Sequence, residues 1–441
     1  MTWAPAGLAQ YSTAGRTGLL PGKPADPPEL PRLLPVTPSG QPASLAAHLA
    51  RYGPRPAVLA GRSRASLLRE VQESGLTGRG GAAFPAFVKL RTVAAGRNPV
   101  VIANGTEGEP ASAKDKVLLT SSPHLVLDGA VLAAELTGAR EVIVVAHRDA
   151  VAAVSAAAAE RGRPGRGRVR ITVRTAARGF VAGEARAVVN WLSHGRPVPT
   201  PAYPRLFERG LGGAPTLLHN VETLAHLALI GRYGAAWFRS AGTPAEPGSM
   251  LVTVIGAVRE PSVLEVGLGT PVRDILELAG GPAGPLQALL LGGYFGSWAR
   301  TEEVAAQPFS AAGLAGAGAA PGAGLIAALP AGACGLAETA RVVRYLADSS
   351  AGQCGPCLFG LDAVAGQVEQ LARGESDGLP LLRRWLGQVD RRGACAHPDG
   401  AVRLVRSALR VFASELDEHN RGWCRGTSPG PVLPVPSRRD R

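Results

Sequence analysis

The sequence predicts an α/β protein built on a parallel-rich sheet, followed by a small α+β unit and a helical C-terminal unit. Three observations carry that expectation. Apolar strand-like runs alternate with helix-spaced segments between about residues 58 and 235, closely spaced strands follow Ser249, and helical spacing dominates from Gly335 onward.

Residues 1–57 carry scattered prolines with little periodicity and are expected to form an extension lying over the unit that follows. Residues 58–245 form the α/β unit. Its glycine-rich stretch Gly78-Arg79-Gly80-Gly81-Ala82-Ala83-Phe84-Pro85 precedes an apolar segment with Phe87, Val88 and Leu90 that encloses Lys89. Pro99 to Ala103 reads as a strand, Asn104-Gly105 as a turn and Thr106 to Lys116 as a charged loop. Pro123 to Leu136 has helical spacing, Glu141 to Ala146 is a buried strand, Val151 to Glu160 a helix, Val169 to Val173 a strand and Gly183 to Leu192 a helix. Residues 246–334 hold the strand Met250 to Gly256, a second short strand before Val266, the helix Pro271 to Ala279 and a linker. Residues 335–420 hold helical runs at Ala337–Ala347, Leu361–Ala372, Leu381–Val389 and Val402–Leu416, and residues 421–441 read as a basic, poorly ordered tail.

Composition narrows the function. With 441 residues, 46% apolar, the chain can bury a sizeable core in two to four domains, while 57 glycines and 37 prolines imply many turns. The net charge of +13 suits acidic partners, but the basic run Arg161–Arg170 is broken by Gly and Pro and lacks interleaved aromatics, which argues against specific nucleic-acid binding. The uncharged stretch Pro308–Leu336 is too interrupted by glycine and proline to span a membrane. Five cysteines at uneven spacing make no disulfide framework, and no leader pattern stands at the N-terminus, so a reducing, cytoplasmic setting is expected.

Several adjacent residues without Cβ atoms let a backbone wrap a phosphate and aim amides at it, which makes a nucleotide or flavin phosphate the leading ligand for Gly78, Gly80 and Gly81. The spacing is neither that of a P-loop nor that of G-x-G-x-x-G, so the alternative is a purely structural glycine turn. For Glu107, Glu109 and Asp115 the residues alone leave cofactor contact, loop capping and a metal site open.

Taken in order, the segment Gly78–Pro85 with Lys89, Asn104-Gly105-Thr106-Glu107-Gly108-Glu109-Pro110 with Lys114-Asp115, Gly183-Glu184, Pro215–Thr223 and Cys354-Gly355-Pro356-Cys357 resemble the NADH-binding FMN/iron–sulfur flavoprotein subunit of NADH:quinone oxidoreductase, the F-type family of complex I. Similar segments occur in the flavoproteins of NAD-linked hydrogenases and formate dehydrogenases, and Asn-Gly-x-Glu-x-Glu-Pro also resembles a component of a membrane-associated ferredoxin:NAD oxidoreductase. The resemblance implies an FMN- and NADH-binding α/β domain, a ubiquitin-like SLBB-type domain and a helical iron–sulfur domain. It places Gly78, Arg79, Gly80, Gly81 and Lys89 around FMN, with Phe84, Phe87 and Tyr203 near the nicotinamide nucleotide. It also sets Asn104, Glu107, Glu109, Gly183 and Glu184 beside the flavin, and Asn220 and Thr223 around the phosphate and ribityl chain. This chain departs from the family at Thr106, Gly108, Ala185 and His219, which reduces polar contacts.

The family's cluster motif is Cys-x-x-Cys-x-x-Cys with a distant fourth cysteine. Here Ala351 stands in the first ligand position, leaving Cys354, Cys357 and Cys395. Three thiolates leave open a [4Fe–4S] or [3Fe–4S] cluster, whose fourth ligand could come from Cys334, Cys424, water or a partner, a structural zinc ion, or a metal-free helical domain. The expected function is that of an FMN-dependent NADH:acceptor oxidoreductase, passing electrons to an iron–sulfur centre or an iron–sulfur or ferredoxin-like partner, within a larger assembly that can lie on the cytoplasmic face of a membrane. No side chain is expected to act as acid, base or nucleophile. The competing reading is a degenerate structural or regulatory component, motivated by Ala351 and by the pair Ala185-Arg186.

Overall fold

A computed structural model describes residues 28–35, 42–55, 63–162, 169–375, 378–424, 426–427 and 430–437. The first sheet contains β1 (Val100–Gly105), β2 (Glu141–Ala146), β3 (Arg170–Thr175) and β4 (Thr216–Asn220), in the order β3-β2-β1-β4 and all parallel. Alternation along each strand sorts its side chains between two layers. Val101, Ala103, Val142, Val144 and Leu217 pack into one core with the helices Arg64–Ser74, Ala86–Ala94, Pro123–Thr137 and Val221–Arg239, whereas Ile102, Ile143, Val145 and Leu218 face Val188 and Val189 of the helix Ala185–His194. Burial on both faces explains why these strands read as continuous apolar runs.

Helix Pro123–Thr137 is apolar nearly all round, as befits a helix walled in on every side. It crosses the helix Val221–Arg239 at Gly129, where a Cβ would lie 1.7 Å from the Leu224 carbonyl oxygen. β1 has β2 on one side and β4 on the other, so the connections diverge at its carboxyl end. A crevice opens there, the place where such sheets bind ligands.

The second sheet comprises β5 (Ser249–Gly256), β6 (Ser262–Gly267), β7 (Leu286–Leu291), β8 (Ser297–Arg300) and β9 (Leu325–Pro330), in the order β6-β5-β9-β7-β8. β9 pairs parallel with β5 and antiparallel with β7, so a strand inside the stretch expected to be a linker forms the middle of the sheet. One face carries Val252, Val254, Leu289, Leu291 and Ile326 against the helix Val272–Leu278. The other carries Ala288, Leu290, Ala327 and Leu329 against the C-terminal helices, including Val342, Leu346, Leu404 and Phe412.

Two readings need correction. β1 continues through Asn104 and Gly105 instead of turning there, because both residues pair with β2. The tail is also packed where it is described: Glu338 accepts the Val432 and Leu433 amides at 3.1 and 3.0 Å, the Tyr294 hydroxyl donates to the Pro434 carbonyl, and Leu433 is buried. Most of the N-terminal extension and much of the basic run Arg161–Arg170 lie outside the described residues. Among the described residues no single helix is long and apolar enough to cross a membrane.

The contact at Gly129 makes a direct prediction. Gly129→Ala must push two core helices apart, and overpacking of this kind costs about 3 kcal/mol; urea denaturation of the variant, giving an unchanged midpoint, would refute the close crossing.

Candidate functional site

The glycine loop is closed at its base by bridge pairing of Thr77 with Pro85, and it leaves Gly80, Gly81, Ala82 and Ala83 exposed over the crevice. Gly81 and Ala83 have positive φ angles of 99° and 48°, which lets the backbone fold back within a few residues. A Cβ on Gly80 would touch the Asn220 side chain at 3.4 Å, and one on Gly81 would reach the Ala323 amide at 3.8 Å. The glycines therefore keep open a backbone-lined cleft between the two sheets. Gly78 serves the loop itself, its N–H donating to the Phe84 carbonyl at 2.9 Å.

Arg79 does not turn its charge into that cleft. Its guanidinium is buried against the second sheet, donating to the carbonyls of Ser249 and Pro247 and to the Thr77 hydroxyl, while its backbone N–H donates to the Thr223 hydroxyl at 2.9 Å. Lys89 is the basic group that faces the crevice from the helix Ala86–Ala94. Its Nζ makes a long 3.4 Å bond to the Leu218 carbonyl and lies 5.6 Å from the centre of the Phe84 ring. Burial holds Lys89 below the ordinary ammonium value, and among the described residues no carboxylate pairs with it. A half-buried cation without a counter-charge fits a bound anion. Phe84 and Phe87 are half-buried beside it, Phe87 packing on the core.

At the carboxyl end of β1, Asn104 Nδ2 donates to the Gly183 carbonyl at 3.0 Å while its Oδ1 accepts from the Thr106 amide and hydroxyl. Glu107, at φ 46°, accepts from the Ser112 hydroxyl and from the amides of Asp115 and Lys116, so it caps the helix Lys114–Ser121. Glu184 likewise caps the helix Ala185–His194, accepting from the amides of Arg186 and Ala187. Asn220 caps the helix Val221–Arg239 through Oδ1, and its Nδ2 donates to Asp115 Oδ2 at 2.6 Å. The three carboxylates Glu107, Glu109 and Asp115 therefore do not converge on a metal position.

Glu109 behaves differently. One of its oxygens accepts the Tyr294 amide at 2.9 Å, and the other is buried with no protein partner among the described residues. Burial pushes its carboxyl up to about 7, with Glu107 adding to the rise, against the Tyr294 and Ala111 amides. The His219 Nε2 is a second buried polar atom without a protein partner, and burial beside Lys89 holds that ring well below the usual histidine value. Tyr203 stands 71% exposed on its loop, with Arg205 over its ring at 5.0 Å.

A buried charge cluster adjoins Asn220 through Asp115. Lys114 Nζ lies 2.8 Å from both Asp115 and Glu222, all three buried, and Glu222 also accepts the Leu251 amide at 2.8 Å. Although burial opposes the charge, its two carboxylates hold Lys114 well above the ordinary ammonium value; burial likewise opposes Glu222, yet Lys114, His226 and Arg79 hold it down at about 2. The distance in sequence from Lys114 and Asp115 to Glu222 gave no signal of this contact.

In the helical unit, the Cys357 amide donates to the Cys354 carbonyl at 3.0 Å. Cys354 and Cys357 lie at the turn that enters the helix Leu361–Arg373, and Cys395 stands just before the helix His397–Val411 of the same unit. Burial raises both Cys357 and Cys395, the neighbouring Cys354 adding to it, so neither sulfur has the lowered value of a reactive dithiol. Cys334 cannot join them: it precedes the helix Gly335–Asp348, whose 14 residues span about 20 Å, and Cys354 lies beyond its far end.

Residues 71–229 match the family described as the Nuo51 FMN-binding domain, residues 251–304 match the SLBB domain, and residues 337–419 match the NADH-ubiquinone oxidoreductase-F iron–sulfur binding region. The second F-type subunit of the NADH-quinone oxidoreductase of Rhizobium meliloti is 30% identical over 371 residues, covering 79% of this chain and 87% of that protein. The chain belongs to the family of NADH-quinone oxidoreductase F-type subunits. The corresponding F-type protein of Mycobacterium tuberculosis is 31% identical over 80% of this chain and 84% of its own length. A solved NAD+-reducing [NiFe]-hydrogenase in the H2-reduced state contains a chain that superposes with a TM-score of 0.74 at 29% identity over 85% of this chain; the present chain spans 64% of that one. The matched regions run α/β, then SLBB, then helical iron–sulfur region, which is the order of the observed domains.

The raised Glu109 carboxyl sets a pH dependence. Its folded value of about 7 lies above the ordinary 4.5, so its contribution favours the fold below about pH 4.5 and is lost as pH rises through 7. Replacing it as Glu109→Gln removes that loss: the ligand-free variant is expected to gain stability over the parent at about pH 8 and little at about pH 5. Equal gains at both pH values in urea titrations would contradict the assignment.

Proposed function

We propose that this chain is an NADH-oxidising flavoprotein that passes electrons from NADH through FMN to an iron–sulfur centre or a partner protein. The single observation that carries the reading is the crevice at the β1–β4 switch point, lined by an open glycine loop and by a half-buried Lys89 that no carboxylate among the described residues pairs with. FMN, when bound, supplies the exchange between two-electron hydride chemistry and one-electron transfer.

The chain's own residues then have distinct tasks. Amides of Gly80 and Gly81 with the Lys89 ammonium are suited to hold a phosphate, Gly78 closes the loop on Phe84, and Thr223 fixes it by accepting the Arg79 amide. Asn104 fastens the Gly183 loop to the end of β1, which sets one wall of the cleft. Phe84 and Phe87 offer ring surfaces for a planar nucleotide, and the free oxygen of Glu109 can accept a hydroxyl or amide donor. Glu107, Glu184 and Asn220 act by fixing backbone positions. Arg79 contributes through its main chain while its side chain braces the second sheet.

Cys354, Cys357 and Cys395 fit a cluster with three thiolate ligands, a set that suits a [3Fe–4S] centre or a [4Fe–4S] centre completed by another donor. Leu358 and Phe359 stand 54% and 71% exposed beside Cys357 and offer contact area for a redox partner, while the net charge of +13 favours an acidic one such as a ferredoxin-like protein. Location at the cytoplasmic face of a membrane assembly is part of the same proposal. Ala351, Ala185 and the Glu184–Arg186 ion pair support the rival reading of a degenerate component.

Anaerobically purified protein is expected to carry flavin that NADH bleaches, together with iron and acid-labile sulfide. Lys89→Met should weaken FMN binding about tenfold or more, equal to ~1.4 kcal/mol. Protein that takes up neither FMN nor NADH would establish the degenerate component instead.

A further inference from the structure

A second group of metal-ligand side chains lies at the opposite end of the helix Gly335–Asp348 from Cys354. Ligand atoms of Cys334, His419 and Cys424 all lie within 4.8 Å of one another. Cys334 closes the turn after β9 and caps the helix, its sulfur accepting the Ala337 amide at 3.3 Å. His419 ends the helix Ala413–His419, buried, with Nε2 3.6 Å from Cys334 Sγ. Cys424 arrives from the chain that turns after this helix, and its sulfur accepts the Gly426 amide at 3.4 Å.

We infer that Cys334, His419 and Cys424 form a mononuclear site for a zinc-type divalent cation, separate from the cysteines of the iron–sulfur region. Two sulfurs and an imidazole are a donor set that zinc takes in tetrahedral sites. Glu415, one turn before His419 on the same helix, places Oε2 3.5 Å from Cys334 Sγ, but its carboxylate lies outside the three-ligand group, which leaves the fourth position to water. Glu415 is held there by the Leu336 amide at 3.1 Å, while its other oxygen accepts from Gln287. The amides on both sulfurs supply the hydrogen bonds that stabilise thiolates on a metal. Gly426 passes so close that a Cβ there would lie 3.1 Å from Cys334 Cβ and 3.4 Å from Cys424 Sγ, and Thr427 donates to the Gly332 carbonyl at 2.8 Å.

The consequence is a cross-link. Cys334 belongs to the junction of the second sheet with the helical unit, whereas Cys424 opens the segment whose Val432 and Leu433 amides dock on Glu338. A cation here ties that segment down at its start, beside the bond from the Thr427 amide to the Gly332 carbonyl.

The test uses the full chain purified anaerobically, with zinc content measured by mass spectrometry and with cobalt(II) as a spectroscopic substitute. About one zinc per chain is expected, together with a cobalt–thiolate charge-transfer band. Cys424→Ala, at an exposed position that leaves the core intact, and Cys334→Ala should each lower zinc affinity at least tenfold, and proteolysis should then release residues after 424 faster. Cys354→Ala should retain the zinc and the cobalt band, which separates this site from the proposed cluster and leaves the result independent of flavin loading. A chain that holds no zinc and gives no cobalt–thiolate band, a Cys334–Cys424 disulfide in the anaerobic protein, or metal content indifferent to Cys334 and Cys424 would each overturn the proposal.

Discussion

The crevice depends on one buried ion cluster. Lys114 joins Asp115 and Glu222 at 2.8 Å each, and the other oxygen of each carboxylate leads to a structural element: Asp115 to the Asn220 amide at the end of β4, and Glu222 to the Leu251 amide of β5. Charges taken out of water cost several kcal/mol apiece unless geometry and hydrogen bonds compensate. Here both carboxylates share one ammonium and direct their remaining oxygens to the two sheets. The cluster therefore fixes the start of one helix, the end of one strand and the seat of the second domain at a single point. A hydrophobic replacement could hold the same volume, but it could not orient Asn220.

Much of the α/β unit was legible because β1 and β2 are buried nearly throughout and so read as continuous apolar runs. The strand Glu141–Ala146 and the helix Val151–Glu160 have the bounds that apolar runs suggest. β9 was not legible. Its apolar residues follow Gly322 and Gly324, which look like loop residues, yet a Cβ on Gly324 would sit 2.2 Å from the Leu251 carbonyl and one on Gly322 would strike Gly292. Those glycines answer to close approach of other strands, a constraint that local sequence does not carry. Gly105 looked like half of a turn for the same reason, since its missing Cβ makes room for Leu119.

The site was legible as a set of segments and less so as a set of roles. Glycines and asparagines announce a backbone that must bend, and the structure brings the loops at Gly78, Asn104, Gly183 and Asn220 together at one sheet end. A carboxylate in a loop announces nothing about its partner. Glu107 and Glu184 have their oxygens occupied by helix N-termini, whereas Glu109, two residues further along the same loop as Glu107, keeps an oxygen free. The difference arises because Gly293 and Tyr294 of the second domain come up against Glu109, and a Cβ on Gly293 would lie 2.9 Å from its oxygen.

The departures from the family pattern are coupled through that same junction. Gly108 lies where a Cβ would be 2.5 Å from the Phe180 carbonyl, so the loop carrying Gly183 packs directly on the loop carrying Glu109. Phe180 in turn sits edge-on to Phe295, Tyr345 and His397, which belong to the second sheet and the helical unit. Cys395 precedes His397 by two residues and feels Glu184 across the same contact. A hydroxyl at residue 108 would have added one polar contact at the crevice but would have pushed these loops apart. Without a side chain at residue 108 the loop carrying Glu109 rests directly against the Phe180 carbonyl, and the Phe180 ring carries that contact on to His397 of the helical unit.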